Sequence, residues 1–312
     1  MLSLLILVAG QVLTLFLLMG VGFFFTKRGT LTDDARSRMS QILMYVVAPC
    51  IVISSLAKTE CTPELTRSVL LTLAATVVCY IVYAILVTPL YRSMDKDTRD
   101  PFRFGTAYGN VGFMGLPLIQ GVFGTEAVIY CTVGLAIFNI GTWTHGLVLM
   151  GGKSNVSLKK AILNPGVIGC AIGFFVFFTG LDIPGPLLSA IEHMGSMNTP
   201  LAMIVIGGQM ASAKLLETFR NPSLYKASAL KLLALPAVTA FLILPFHLNA
   251  AAYSTTVVLA GCPVAGITGI FAQSFKRDAP RTAQLITLST LLSIITLPLV
   301  TLAAHALYAW LG

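Results

Sequence analysis

The sequence predicts an all-α membrane protein of ten transmembrane helices, built as two inverted five-helix repeats whose fourth and ninth helices are broken and cross. Three observations lead there. Only 10% of the 312 residues are charged, 56% are hydrophobic and the mean hydropathy is +0.87, whereas soluble domains average about 25% charged residues. Of the 20 Lys and Arg residues, 18 fall in alternate connections between apolar stretches. Two apolar stretches are interrupted by Gly and Pro at matching places, Gly109-Asn110-Val111-Gly112-Phe113-Met114-Gly115-Leu116-Pro117 and Gly261-Cys262-Pro263-Val264-Ala265-Gly266-Ile267-Thr268-Gly269, beginning 152 residues apart.

A helix needs about 20 mainly apolar residues to cross a bilayer. Span 1 covers 3–26. Its basic residues, Lys27 and Arg28, follow the apolar run, the reverse of a secretory signal, so an uncleaved first helix with its N-terminus outside is expected. Span 2, 36–57, carries Pro49, and span 3 covers 66–91. Span 4, 102–123, holds the first break, and span 5, 126–150, has Asn139 near its centre. Span 6, 160–180, begins around Leu163-Asn164-Pro165. An interfacial stretch, 184–194, opens with Pro184-Gly185-Pro186 and precedes span 7, 195–213, with its Pro200. Span 8, 224–246, carries Lys231, span 9, 250–274, holds the second break, and span 10, 281–310, contains Ser293.

The basic residues orient the spans. They cluster between spans 1 and 2, 3 and 4, 5 and 6, around the 7–8 connection, and between 9 and 10, leaving only Lys58 and Arg67 on the other side. Lys and Arg mark the cytoplasmic side, so both termini are expected to be extracytoplasmic in a multi-pass protein of the cell membrane. Five spans per half is odd, so the second half, 151–312, must be inverted relative to the first, 1–150. Pro49 and Pro200, 151 residues apart, fit the same repeat. The loops account for the net charge of +8, and no nucleic-acid partner is expected. The six Cys are scattered without metal or redox spacing. The four His are dispersed, so no enzyme is expected. Gly151-Gly152-Lys153-Ser154 ends like a phosphate-binding loop, but Leu147 stands where that motif needs glycine. Asn155-Val156-Ser157 has the glycosylation pattern in a loop assigned to the cytoplasm, where it is inert.

Broken backbone at membrane depth is tolerated only where protein buries it or it lines a cavity. Paired breaks at equivalent repeat positions point to a transporter's binding site. Each break starts a half-helix, near Gly112 and near Ala265, whose free N–H groups carry about half a positive charge. Two such ends facing one cavity can hold an anion. Asn110 adds an amide donor, and Gly109, Gly112 and Gly266 allow close backbone approach. The candidate substrate residues are Gly109, Asn110, Val111, Gly112, Asn139, Pro263, Val264, Ala265 and Gly266; Lys231, Thr268 and Ser293 are candidate ion or path residues. The plainer alternatives are a simple kink at each break, an interhelical hydrogen bond at Asn139, packing amides at Gln11 and Gln209, and a Lys231 that snorkels to the cytoplasmic surface, the favoured reading for that residue. No Asp or Glu falls at a span centre, which weakens proton coupling. Sodium can still be held by carbonyls, so the coupling ion, Na+ or H+, stays open. No cofactor or metal is expected.

Around the breaks the chain resembles the auxin efflux carrier family, which includes plant auxin carriers and bacterial carboxylate permeases. The resembling residues are Asn110 to Leu118, Phe123-Gly124-Thr125-Glu126, Leu163-Asn164-Pro165, Thr199-Pro200-Leu201-Ala202-Met203, Pro263 with Ile270-Phe271-Ala272, and Thr290 to Pro298. Two features depart from the plant members: Gly109 stands where they have proline, and the loop between the halves is short. The resemblance implies ten helices, a scaffold domain of spans 1, 2, 6 and 7, a transport domain of spans 3–5 and 8–10, and substrate at the crossing of spans 4 and 9. The expected function is a secondary carrier of a small organic anion, a mono- or dicarboxylate, working by alternating access. A channel or membrane receptor of the same fold, or a carrier of a neutral or cationic substrate, are the alternatives. The expected partners are the substrate and the lipid bilayer, with a homodimer through the scaffold domain as the candidate assembly.

Overall fold

The computed structural model describes residues 2–152, 159, 162–213 and 215–311. Lys153, Lys160, Lys214, the Asn155-Val156-Ser157 pattern and most of the loop joining the halves lie outside them. The described residues form helices and one isolated β-bridge. In chain order the helices are α1 (Leu2–Lys27), α2 (Asp33–Ala57), α3 (Pro63–Val87), α4 (Lys96–Ala107), α5 (Val111–Phe123), α6 (Thr125–Gly151), α7 (Pro165–Thr179), α8 (Gly185–Ser196), α9 (Asn198–Ser212), α10 (Leu215–Phe219), α11 (Pro222–Phe246), α12 (Ala250–Ala260), α13 (Ile267–Ser274) and α14 (Ala279–Leu311). Six of them, α1, α2, α3, α6, α11 and α14, are long and apolar enough to cross a membrane; α5, α7 and α12 are shorter apolar helices. Both expected breaks are present, between α4 and α5 and between α12 and α13. The stretch expected at an interface is a helix, α8.

Large apolar side chains point outward: Ile6, Leu17, Phe175, Phe241 and Ile295 are all more than half exposed. The interior carries many hydroxyls, and several of them are satisfied locally. Thr72, Thr239, Thr290 and Ser293 donate to carbonyls of their own helices, Ser68, Leu235, Ile286 and Thr290. Such back-bonding satisfies the donor of a polar side chain in a dry interior whether or not another helix offers a partner, as Tyr83 of α3 does to Thr239.

Glycines set the closest helix contacts. On Gly22 of α1 a Cβ would fall 2.0 Å from the Ile204 carbonyl oxygen of α9, and on Gly207 of α9 it would fall 1.9 Å from that of Met19. The two backbones touch, as small residues permit between membrane helices. In the same way α7 presents Gly169 to Pro49 of α2 and Gly173 to Val52 and Leu56. Thus α1 lies on α9 and α7 lies on α2.

Prolines shape three helices alike. Pro49, Pro117 and Pro236 each follow a widened, π-type turn, 43–47, 111–115 and 230–234. The N–H just before each proline reaches five residues back, Ala48 to Leu43, Leu116 to Val111 and Leu235 to Leu230. The wider turn accommodates a ring that clashes with the carbonyl four residues earlier and supplies no N–H.

Candidate functional site

The two breaks meet. Gly109 and Val264 form an antiparallel bridge. The Asn110 N–H donates to Pro263 O at 2.7 Å and the Ala265 N–H to Tyr108 O at 3.2 Å. Backbone that neither helix can satisfy is therefore paired across the crossing. Val264 N donates to Ser289 Oγ at 3.1 Å, so α14 supplies the next acceptor. Ser289 was not among the expected site residues; it is one of several small hydroxyls in α14, Thr287, Thr290 and Ser293 among them, and sequence alone cannot single it out. Gly109 is required here, because a Cβ would lie 2.9 Å from the Cys262 carbonyl oxygen and 2.9 Å from Cε and Nζ of Lys231.

Asn110 is the N-cap of α5: its Oδ1 accepts from Phe113 N at 3.3 Å. The cap leaves the Nδ2 hydrogens as donors, and the side chain is nearly buried. Across the bridge α13 begins after Gly266 without a side-chain cap. The half-helices thus start at Val111 and Ile267, a residue or two from where the sequence placed them.

Lys231 corrects the sequence reading. It does not snorkel: it is 1% exposed. It lies in the widened turn before Pro236, and Nζ donates to Ala260 O, the last residue of α12, at 2.9 Å. No ion pair reaches it among the described residues. The widened turn carries Lys231 toward Gly109, a rotation that α-helical periodicity does not foretell.

An aromatic group surrounds the crossing. Tyr108 stacks on Tyr80 at 5.7 Å, lies 4.8 Å from the Phe104 ring and donates to Gly141 O at 2.9 Å, with His145 Nδ1 at 3.0 Å. His145, dismissed as a dispersed histidine, is therefore one side chain from the bridge. A small cavity of about 20 Å³ is lined by Lys231, Tyr80, Tyr83, Tyr130, Val111 and Thr256, among others. A larger vestibule of about 930 Å³ opens among Ser54, Lys58, Glu126, Glu192, His193 and Asn249. Tyr130 lines both and accepts from Asn249 Nδ2 at 2.8 Å, which also donates to Ser68 Oγ at 3.0 Å. Among their lining residues, Tyr130 is the one that vestibule and cavity share.

At the far end of the same helices Arg277 gathers three segments. It donates to Met150 O at 2.8 and 3.0 Å and to Asp97 at 2.6 Å, and lies 3.3 Å from Asp100. Asp95 caps α4 by accepting from Thr98 N, which holds its carboxyl below the usual carboxylate range.

The structure gathers Gly109, Asn110, Val111, Pro263, Val264, Ala265 and Lys231. Gly112 packs against Leu135. Gln209, expected as scaffold packing, comes from α9 to face Gly266, where a Cβ would lie 3.3 Å from its Oε1. Gln11 packs on Gly121 in the same manner. Asn139 goes elsewhere: Nδ2 donates to Leu135 O at 2.9 Å in its own helix and abuts Gly166 at the start of α7. Ser293 bonds Thr290 O and touches Met114 Sδ at 3.9 Å, a packing role beside α5. Thr268 is buried with no partner for its hydroxyl.

The chain matches the family model described as membrane transport protein over residues 7–301. An "uncharacterized transporter" of Methanothermobacter thermautotrophicus is 26% identical over 302 residues, 92% of this chain and 95% of that protein. Another of Methanocaldococcus jannaschii is 24% identical over 206 residues, 63% of this chain and 67% of that one. A Rhizobium meliloti protein named "Putative malonate transporter" is 23% identical over 307 residues, 93% of each chain. The interrupted helices, their motif and the match along nearly the whole length together make this chain a member of the membrane transport protein family, that of the auxin efflux carriers.

Proposed function

We propose that the protein is a secondary carrier of a small organic anion, a mono- or dicarboxylate, bound at the crossing and moved by alternating access. The observation that carries this reading is the buried Lys231 ammonium beside Gly109, with no carboxylate paired to it among the described residues. A buried cation without a counter-charge is costly, and a substrate carboxylate would relieve it. Asn110 Nδ2 and the uncapped start of α13 present donors from the same crossing. The name of the Rhizobium meliloti relative supports a dicarboxylate such as malonate.

In this reading ten helices cross the membrane, α4–α5 and α12–α13 counting as one broken span each, with both termini extracytoplasmic. The packing supports inverted halves, 1–150 and 151–312. Exchanging each span for its repeat mate turns the α1–α9 contact, spans 1 and 7, into the α7–α2 contact, spans 6 and 2. Spans 1, 2, 6 and 7 are the scaffold against which spans 3–5 and 8–10 move. Tyr130 and Asn249 close the outer route in this state, and Gln209 faces Gly266 from the scaffold, where sliding would change its partner.

The test is a current measurement on proteoliposomes on a solid-supported membrane, with malonate and a panel of monocarboxylates. Saturable currents and counterflow of labelled malonate are expected. Flux that does not saturate and shows no counterflow would make the protein a channel, and transport confined to neutral or cationic compounds would remove the anion site.

A further inference from the structure

The position of the Lys231 ammonium bears on coupling, which the carrier reading leaves open. Discontinuous helices in secondary carriers hold their coupling cation with unwound backbone carbonyls and with the C-terminal ends of half-helices. Such an end carries about half a negative charge. Here α12 ends at Ala260, and its carbonyl is taken by Lys231 Nζ at 2.9 Å. The Cys262 carbonyl, in the unwound connector, lies on the same side: it and Nζ are each 2.9 Å from the one point where a Cβ on Gly109 would stand. The ammonium therefore sits where a mobile cation would bind, delivered by the widened turn before Pro236. It has three donors, of which Ala260 takes one. The adjoining cavity of about 20 Å³ has room for about one water.

We propose that Lys231 is a tethered cation that replaces a coupling ion, so that the carrier binds and moves its anion without sodium. This rests on the anion-carrier reading. The charge moves with α11 and never leaves the protein. A monocarboxylate then crosses as a neutral pair with Lys231, and the empty site returns with one positive charge. Each turnover transfers the anion's own charge, giving a current that does not depend on sodium.

The experiment compares purified parent, Lys231→Ala and Lys231→Met in sodium chloride and in N-methylglucamine chloride at equal ionic strength. It measures malonate binding by calorimetry and stability by thermal shift. The parent is expected to bind equally in both salts. Lys231→Ala should bind at least about tenfold more weakly, as the loss of a charge-assisted bond implies, and methylammonium, which fits the vacated space, should restore binding. Lys231→Met fills that space without charge, so it should stay weak with or without methylammonium. Sodium-dependent binding by the parent, or undiminished binding by Lys231→Ala without added cation, would overturn the proposal. If the parent binds no carboxylate at all, the carrier reading fails instead. The thermal shift then still decides: methylammonium must stabilise Lys231→Ala and not the parent, and no such gain refutes the tethered cation. Should Lys231→Ala fail to fold, the parent's sodium response and Lys231→Met remain decisive.

Discussion

Asn110 has two jobs at the crossing, and two substitutions separate them. Its Oδ1 caps α5 by accepting from Phe113 N, while its Nδ2 is left to meet a substrate carboxylate. Asn110→Ala removes both. Losing an N-cap costs about 0.5–2 kcal/mol of stability, and losing a hydrogen bond to a charged group costs about 1.5–3 kcal/mol of binding. The second term corresponds to roughly 10- to 100-fold in affinity. Asn110→Asp keeps the cap, since Asp and Asn are comparable there. It removes the donor and puts a negative charge next to Gly109, whose Cβ position is 2.9 Å from Lys231 Nζ. The new carboxylate competes with substrate for that ammonium. The two rankings should therefore cross. In thermal stability the parent and Asn110→Asp should be similar, with Asn110→Ala lower. In malonate affinity both variants should fall, Asn110→Asp at least as far as Asn110→Ala. Calorimetry and thermal shift on the same preparations give both rankings. If Asn110→Asp binds malonate as well as the parent, the anion does not sit at this crossing. If Asn110→Ala melts early yet binds normally, Asn110 is a cap and nothing more.

Three further outcomes are expected. A reporter that fluoresces only in the cytoplasm, fused after Gly312, should stay dark, and a bright, correctly inserted fusion would reverse the orientation drawn from the basic loops. Gly207→Val should abolish the folded monomer in size-exclusion chromatography, because its Cβ would stand 1.9 Å from a backbone oxygen of Met19; Gly20→Ala, with nothing within 4 Å, should be neutral or stabilising by up to about 1 kcal/mol, and equal effects of the two would refute the close α1–α9 contact. Arg277→Gln removes a cation held by Asp97, Asp100 and Met150 O and leaves the buried Asp100 with Arg99 alone; a loss of up to about 3–5 kcal/mol should appear as a lower melting temperature, and an unchanged one would mean that solvent replaces the contact.

Composition and pattern decide a good deal of this protein. Hydropathy dictates long apolar helices, because a backbone in lipid must satisfy its own hydrogen bonds. The Gly- and Pro-rich segments around Asn110 and Pro263 announce where those bonds fail, and the breaks occur there. What a sequence lacks is the rotation and reach of each side chain about its helix. Asn139 looks central in its span yet faces Gly166 and bonds its own helix. Lys231 reads as a snorkelling lysine, but the widened turn that Pro236 imposes turns it inward to Ala260. Gln209, Ser289 and His145 acquire meaning only from what stands opposite them: Gly266, Val264 N and Tyr108. The sequence alone therefore determines which segments are helical, which are broken and which loops carry charge, since these follow from local hydrogen bonding and transfer to lipid. Which polar groups meet at the crossing is decided by the tertiary structure, because helix packing, and not position along the chain, brings a donor within about 3 Å of its acceptor.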